Sequence, residues 1–301
     1  YTLAGCAGFD VSANPEVVKS AKKGINAALV KGHELNIEIP FIPFITVSVG
    51  MPGDHHVRKA VITDECVNCN LCIPTCPTDA IPSNLIIIPE LCIGCGNCEA
   101  ACPPAASAIK YNHNSKELSS LLPKCVEAGA ESIELHAGVP DDKSTIDEWK
   151  VVSDSVPNGM ISMCLDRKHL SNEMLIERIK LAREIADDRL IIQADGIPMS
   201  GGTDDFNTTL QAVSIADFIN KEIKLKEKNF SKLPVLISGG TNSFTGELAR
   251  NCGVPFNGIT IGTHARKVIK EFESKPNEMS HEELLIAISK ANKLITRNLK
   301  S

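Results

Sequence analysis

Cys66, Cys69, Cys72 and Cys76 stand as C-x2-C-x2-C-x3-C before Pro77, and Cys92, Cys95, Cys98 and Cys102 repeat that spacing before Pro103. Each cysteine recurs 26 positions later, so the segment is an internal duplication. Thiolates at this spacing are iron ligands. Three cysteines two residues apart wrap a tight loop around three iron corners of a cubane and aim backbone N–H groups at its sulfurs, while the fourth points away and serves the other cluster. The pattern predicts one cluster on Cys66, Cys69, Cys72 and Cys102 and a second on Cys92, Cys95, Cys98 and Cys76. Structural zinc, the competing use of cysteine, pairs two C-x2-C knuckles and does not call for this longer run twice over. Two [4Fe-4S] clusters with full ligand sets leave no iron open to substrate, so their work is to store or pass electrons. This cysteine usage belongs to a reducing compartment. The other four, Cys6, Cys125, Cys164 and Cys252, read as small core residues, with Cys164 at a strand end.

Outside the module, short β-branched runs alternate with amphipathic helical stretches. Strands are expected at 9–13, 44–50, 132–138, 159–165, 190–196, 234–240 and 258–264. Helices are expected from an Asn cap at 14 and from a Ser cap at 171. Near-continuous apolar strands alternating with helices imply a parallel sheet covered on both faces. The reading is an α/β protein with a TIM-like (β/α)8 barrel whose first strand would lie upstream of Tyr1, where the chain opens in what reads as the end of a helix. A doubly wound open sheet is the alternative, and no strand is followed by the G-x-G-x-x-G that such sheets favour. The barrel is assigned to 1–53 and 114–275, an inserted ferredoxin-like module to 54–113, and a packing helix to 276–301. Because the module follows the second visible strand, it grows from a βα connection, and the clusters are expected over the barrel mouth, where active sites are built.

Strand ends at that mouth supply the remaining candidates: Asp10, His136, Asp166, Asp195 and His264, with the loop from Asp195 to Asp205 read as ligand-facing. His136 and Asp195 are the candidate catalytic groups, set against their use as satisfied structural residues. Gly239, Gly240, Gly262 and Thr263 follow the last two strands, where barrels often cradle a phosphate, and are candidates for the phosphate of FMN. The competing use of those glycines is a tight turn.

A net charge of −6, 4% aromatic residues and the single Trp149 argue against a nucleic-acid surface. The longest apolar stretches fall short of a membrane span, and the expectation is a soluble, cytoplasmic protein.

The opening "YTLAGCAGFDVSANPEVVKSAKKGI", the dicluster segment and the closing "ISGG" and "IGTHAR" together resemble the light-dependent period A family of cyanobacteria. Residues 54–113 alone resemble bacterial dicluster ferredoxins. The family resemblance implies a cytoplasmic iron–sulfur redox sensor that takes electrons from a ferredoxin or quinone-linked pool and reports light or redox state to a clock or regulatory partner. It carries over the eight cysteines as ligands and no catalytic residue. The alternative is a ferredoxin-fused, flavin-dependent oxidoreductase in which the clusters feed electrons to the barrel mouth. A plain electron carrier would leave the barrel without a use.

Overall fold

Asn14 and Pro15 start the first helix as their chemistry requires. The Asn14 side chain accepts the Glu16 N–H at 3.0 Å, and proline occupies a first-turn position that has no use for a backbone donor. Asp141 and Ser171 cap later helices in the same way, accepting from the N–H groups of Ser144 and Met174. The computed structural model describes the chain apart from residues 52–53, 55–57, 93, 114–117, 198–202, 273–278 and 300–301. In chain order the elements are β1 (Gly8–Ser12), α1 (Pro15–Glu34), β2 (Phe44–Gly50), β3 (Arg58–Ile62), α2 (Asn97–Ala101), β4 (Ile109–His113), α3 (Leu118–Ala128), β5 (Ser132–His136), α4 (Asp142–Ser155), β6 (Ile161–Leu165), α5 (Asn172–Ala186), β7 (Leu190–Asp195), α6 (Leu210–Ile219), β8 (Val235–Ser238), α7 (Thr245–Asn251), β9 (Gly258–Ile259), α8 (Thr263–Ile269) and α9 (His281–Leu299). They divide into two units, Tyr1–Val49 with Glu117–Ser301, and Gly50–Lys116.

The larger unit is built on a seven-stranded sheet in the order β1-β2-β5-β6-β7-β8-β9. Its registered pairs are parallel. With β3 and β4 in the other unit, each strand lies beside its predecessor in the chain, the strand order of a TIM-like α/β sheet. A single rung runs through His136, Cys164, Gln193 and Leu236 on four successive strands.

The strands are not apolar on both faces, which corrects the sequence expectation. They alternate with period two. Ile133, Leu135, Ile161, Met163, Ile192 and Ile237 have no exposed surface and carry the helices, from which Trp149 donates its indole N–H to Ala182 O at 3.0 Å. The intervening positions hold Ser48, Glu134, Ser162, Gln193, Asp195 and Ser238. Such residues survive burial because they bond along their own face. Gln193 Nε2 donates to Ser162 Oγ at 3.2 Å and its Oε1 accepts from Thr260 Oγ1 at 3.1 Å. The last strand, β9, is also shorter than expected. At Thr260 the chain leaves the ladder, and it then enters α8 through Gly262.

The C-terminal helix α9 is fastened by Asn298, which is buried. Its Oδ1 accepts the Gly246 N–H at 2.8 Å and its Nδ2 donates to Asn242 O at 3.2 Å and to Leu294 O at 3.0 Å. A Cβ on Gly246 would fall 2.1 Å from Asn298 O, so only glycine admits the helix this closely.

The smaller unit pairs β3 with β4 antiparallel, from Arg58 opposite His113 to Ile62 opposite Ile109. Its core is small: Ala60, Ala80, Ile81 and Ile109 pack with Cys72, Cys92 and Cys98. Cysteines make up a large share of what this unit buries.

Candidate metal centre

Tight loops need backbone that can turn left. The first cysteine run does this with Asn68 (φ 53°) and Asn70 (φ 59°), and the second with Gly94 (φ 69°) and Gly96 (φ 87°), the same two positions of the repeat. These turns gather the sulfurs around two cavities. Cys66, Cys69, Cys72 and Cys102 line one, with Val67, Leu85 and Ile109. Cys76, Cys92, Cys95 and Cys98 line the other, with Ala60, Ile81 and Tyr111. Each cavity therefore takes three cysteines from one run and the fourth from the other.

Backbone donors point at the sulfurs. The N–H of Ala80 reaches Cys76 Sγ at 3.2 Å, and those of Ala60, Asn68 and Ala108 reach Cys92, Cys66 and Cys102 Sγ at 3.4 Å. Such bonds suit thiolates, whose charge they share. Without metal, burial and then the neighbouring cysteines push the Cys98 thiol up to about 11. Burial likewise raises Cys72 and Cys95. Four thiols crowded in an apolar wall resist ionisation singly, and bound iron offsets that cost by displacing the protons. The donor set and its apolar lining fit an iron–sulfur group. Around the second cavity, Arg58 lies 3.9 Å above the Tyr111 ring and donates to Gly94 O at 2.9 Å, and Lys59 donates to Cys92 O. Burial, then the hydrogen bond to Glu99 Oε2 (2.9 Å), raises the Tyr111 phenol.

In the larger unit, Asp10 and His136 come together through two residues that sequence reasoning missed. Ser48 Oγ lies against Asp10 Oδ1 and 3.0 Å from Glu134 Oε2, and the other oxygen of Glu134 lies 3.8 Å from His136 Nε2. Asp10 is an exposed residue, yet the enclosure of its carboxyl, followed by the charge and hydrogen bond of Glu134, holds that carboxyl above the usual range. One serine proton cannot serve two carboxylates. Ser48 Oγ reaches both, and the crowding of the two carboxyls favours a proton on Asp10. Cys164, read from sequence as core, is buried on the adjoining strand, and one ligand-capable atom each from Glu134, His136 and Cys164 lie within 4.8 Å of one another. The alternation in "SIELH" and "ISMCL" is the signal that places these residues on one face.

Arg178 positions the chain that leaves β5. It is fully buried and donates to Ala137 O and Val139 O at 2.5 Å and to Asp142 Oδ1 at 3.0 Å. Asp166 accepts the Lys168 N–H at 2.7 Å and packs against Gly138, where a Cβ would fall 2.3 Å from its carboxyl.

Asp195 stands apart from His136 and accepts from Ser238 Oγ at 3.4 Å. Gly239 (φ 67°) lies so close that a Cβ would fall 1.9 Å from Asp195 Oδ1, and Gly240 continues the turn at φ 66°. Gly239 is accounted for by clearing an acidic side chain, which is the wrong charge beside a phosphate, and Gly240 by its left-handed turn. Gly262 caps the short α8, and Thr263 Oγ1 accepts from Arg266 at 3.3 Å. A phosphate at Gly239 would meet the Asp195 carboxyl. Of the loop expected to face a ligand, residues 198–202 lie outside the described residues. Its far end is tied down, with Asn242 Nδ2 donating to Thr203 O at 3.1 Å and to Asp205 O at 2.7 Å, and Asp204 lying 3.5 Å from His264 Nε2.

Two four-sulfur cavities in a duplicated antiparallel module define an iron–sulfur protein, and residues 59–81 and 85–106 each match the 4Fe-4S binding domain. Residues 125–300 match the light dependent period A C-terminal domain. The chain is 30% identical over 249 residues to light dependent period A of Synechococcus elongatus, covering 81% of this chain and 66% of the relative. The protein thus belongs to the light dependent period A family, and it spans just under two thirds of that relative's length. Among the described residues, no helix is long and apolar enough to cross a membrane.

Proposed function

We propose that the protein is a cytoplasmic redox sensor that holds two [4Fe-4S] clusters and signals their state to a regulatory partner in the input to a circadian clock. The observation that carries this reading is the pair of cavities, each lined by four cysteines. In this reading Cys66, Cys69, Cys72 and Cys102 hold one cluster and Cys92, Cys95, Cys98 and Cys76 the other. When bound, the clusters supply one-electron storage and transfer. With all four cysteines engaged, neither site offers a position for substrate. The chain's own groups set the conditions: N–H donors stabilise the sulfurs, apolar side chains keep water away, and Arg58 and Lys59 bring positive charge to the second site. The electron source is a ferredoxin or a quinone-linked pool, and a (β/α)8-type barrel of residues 1–53 and 114–275, with the module 54–113 inserted and the helix of 276–301 following, presents the surface that the partner reads.

The test is Cys95→Ala, purified without oxygen. Iron falls by about half, one cluster's paramagnetic signal disappears, and the chain loses redox-dependent capture of its clock partner from the parent cell. A variant stripped of both clusters that still binds the partner in a redox-dependent way overturns the reading.

A further inference from the structure

We propose that Glu134, His136 and Cys164 form a mononuclear site for a divalent metal of the zinc class, separate from the two cysteine cavities. A carboxylate, an imidazole and a thiolate are the three kinds of side chain that zinc takes, and the thiolate selects against magnesium and calcium. All three sit on neighbouring parallel strands, with His136 and Cys164 on one rung and Glu134 two residues earlier on the same face.

The geometry favours a shared ion over direct pairing. At 3.8 Å, Glu134 Oε1 and His136 Nε2 are too far apart for a hydrogen bond. Two such ligands across tetrahedral zinc, with bonds of about 2.0–2.1 Å, stand roughly 3.3 Å apart. The farthest pair of the three, within 4.8 Å, closes onto an ion by about 1 Å. A nucleophilic Cys–His–Glu arrangement would instead need the carboxylate bonded to the imidazole. The opposite oxygen of Glu134 is already held by Ser48, in turn against Asp10, which is the outer support a metal-bound carboxylate needs. Charge gives an independent reason. Glu134 is 1% exposed, and among the described residues no lysine or arginine pairs with it or with Asp10. A buried carboxylate calls for a cation, and an ion shared with His136 and Cys164 supplies it. Three protein ligands leave a fourth position for water or a substrate oxygen, the composition of a catalytic zinc site rather than a structural one.

The test uses full-length protein purified without oxygen, clusters intact, dialysed against zinc and then against zinc-free buffer, with metals measured by elemental analysis and zinc-edge X-ray absorption. The expected result is about one zinc per chain beside unchanged iron, with one sulfur and otherwise nitrogen or oxygen in its shell. Cys164→Ser removes that sulfur, His136→Gln lowers retention, and Ser48→Ala weakens it by about 10–100-fold. Unchanged iron and circular dichroism show that these variants remain folded. Zinc no higher than the buffer blank overturns the proposal. So does a shell of four sulfurs, which marks zinc in the cluster cysteines, or retention indifferent to both Cys164→Ser and His136→Gln.

Discussion

Asp10 and Glu134 compete for the single hydroxyl proton of Ser48, and the competition has a measurable sign. The Asp10 carboxyl titrates well above its ordinary 3.8, through desolvation and then the charge of Glu134, with His136 opposing. Between pH 3.8 and the raised folded value, the native chain keeps a proton that the unfolded chain has released. Stability therefore falls as pH rises across that window. Asp10→Asn is neutral throughout and lacks the fall. In zinc-free protein its unfolding midpoint gains on that of the parent as pH rises from the unfolded value toward the raised folded one, and the gain vanishes below the unfolded value. Parallel curves would show that Asp10 is not held protonated. At this scale the sequence revealed Asp10 and His136 as strand-end groups. It placed Cys164 at a strand end but concealed Ser48 and Glu134, because their roles depend on which strands become neighbours. A polar residue at every second position shows a shared face; it does not show which residue meets which.

Among the elements, α9 depends on a few polar bonds rather than on a broad apolar seam. Asn298→Ala removes the acceptor of the Gly246 N–H and the donor to Asn242 O, leaving buried groups unmatched. The expected cost is about 1–3 kcal/mol, read as a lower denaturation midpoint together with loss of amide protection in α9. Unchanged exchange in α9 would show that packing alone holds it. All seven strands of the large sheet lie where β-branched runs placed them, since strand formation there follows local patterning. The shortening of β9 was not legible. The Thr260 carbonyl accepts from Thr241 Oγ1 at 2.6 Å instead of continuing the ladder, and the chain then enters α8, contacts that no local pattern encodes.

For the molecule as a whole, the two units differ in what holds them together. The large sheet rests on apolar residues with no exposed surface, whereas the core of the small unit includes Cys72, Cys92 and Cys98. Removing iron with a chelator under reducing conditions should therefore unfold 50–116 and spare the rest. In hydrogen exchange, amides of β3 and β4 lose protection while those of β6 and β7 keep it. Uniform loss across both would mean that the units fold as one. The cysteine spacing was readable because an iron–sulfur loop is specified within a dozen residues. What the larger unit binds is written across strands far apart in the chain.

The exchange of fourth cysteines between the two runs has a consequence for inheritance. A duplicated gene segment ordinarily provides a spare: one copy can decay while the other serves. Here Cys76 stands in the cavity of the second copy and Cys102 in that of the first, so neither copy is complete without its sibling. The doubling is a mutual dependence, and the loss of either half is inherited as a defect of both.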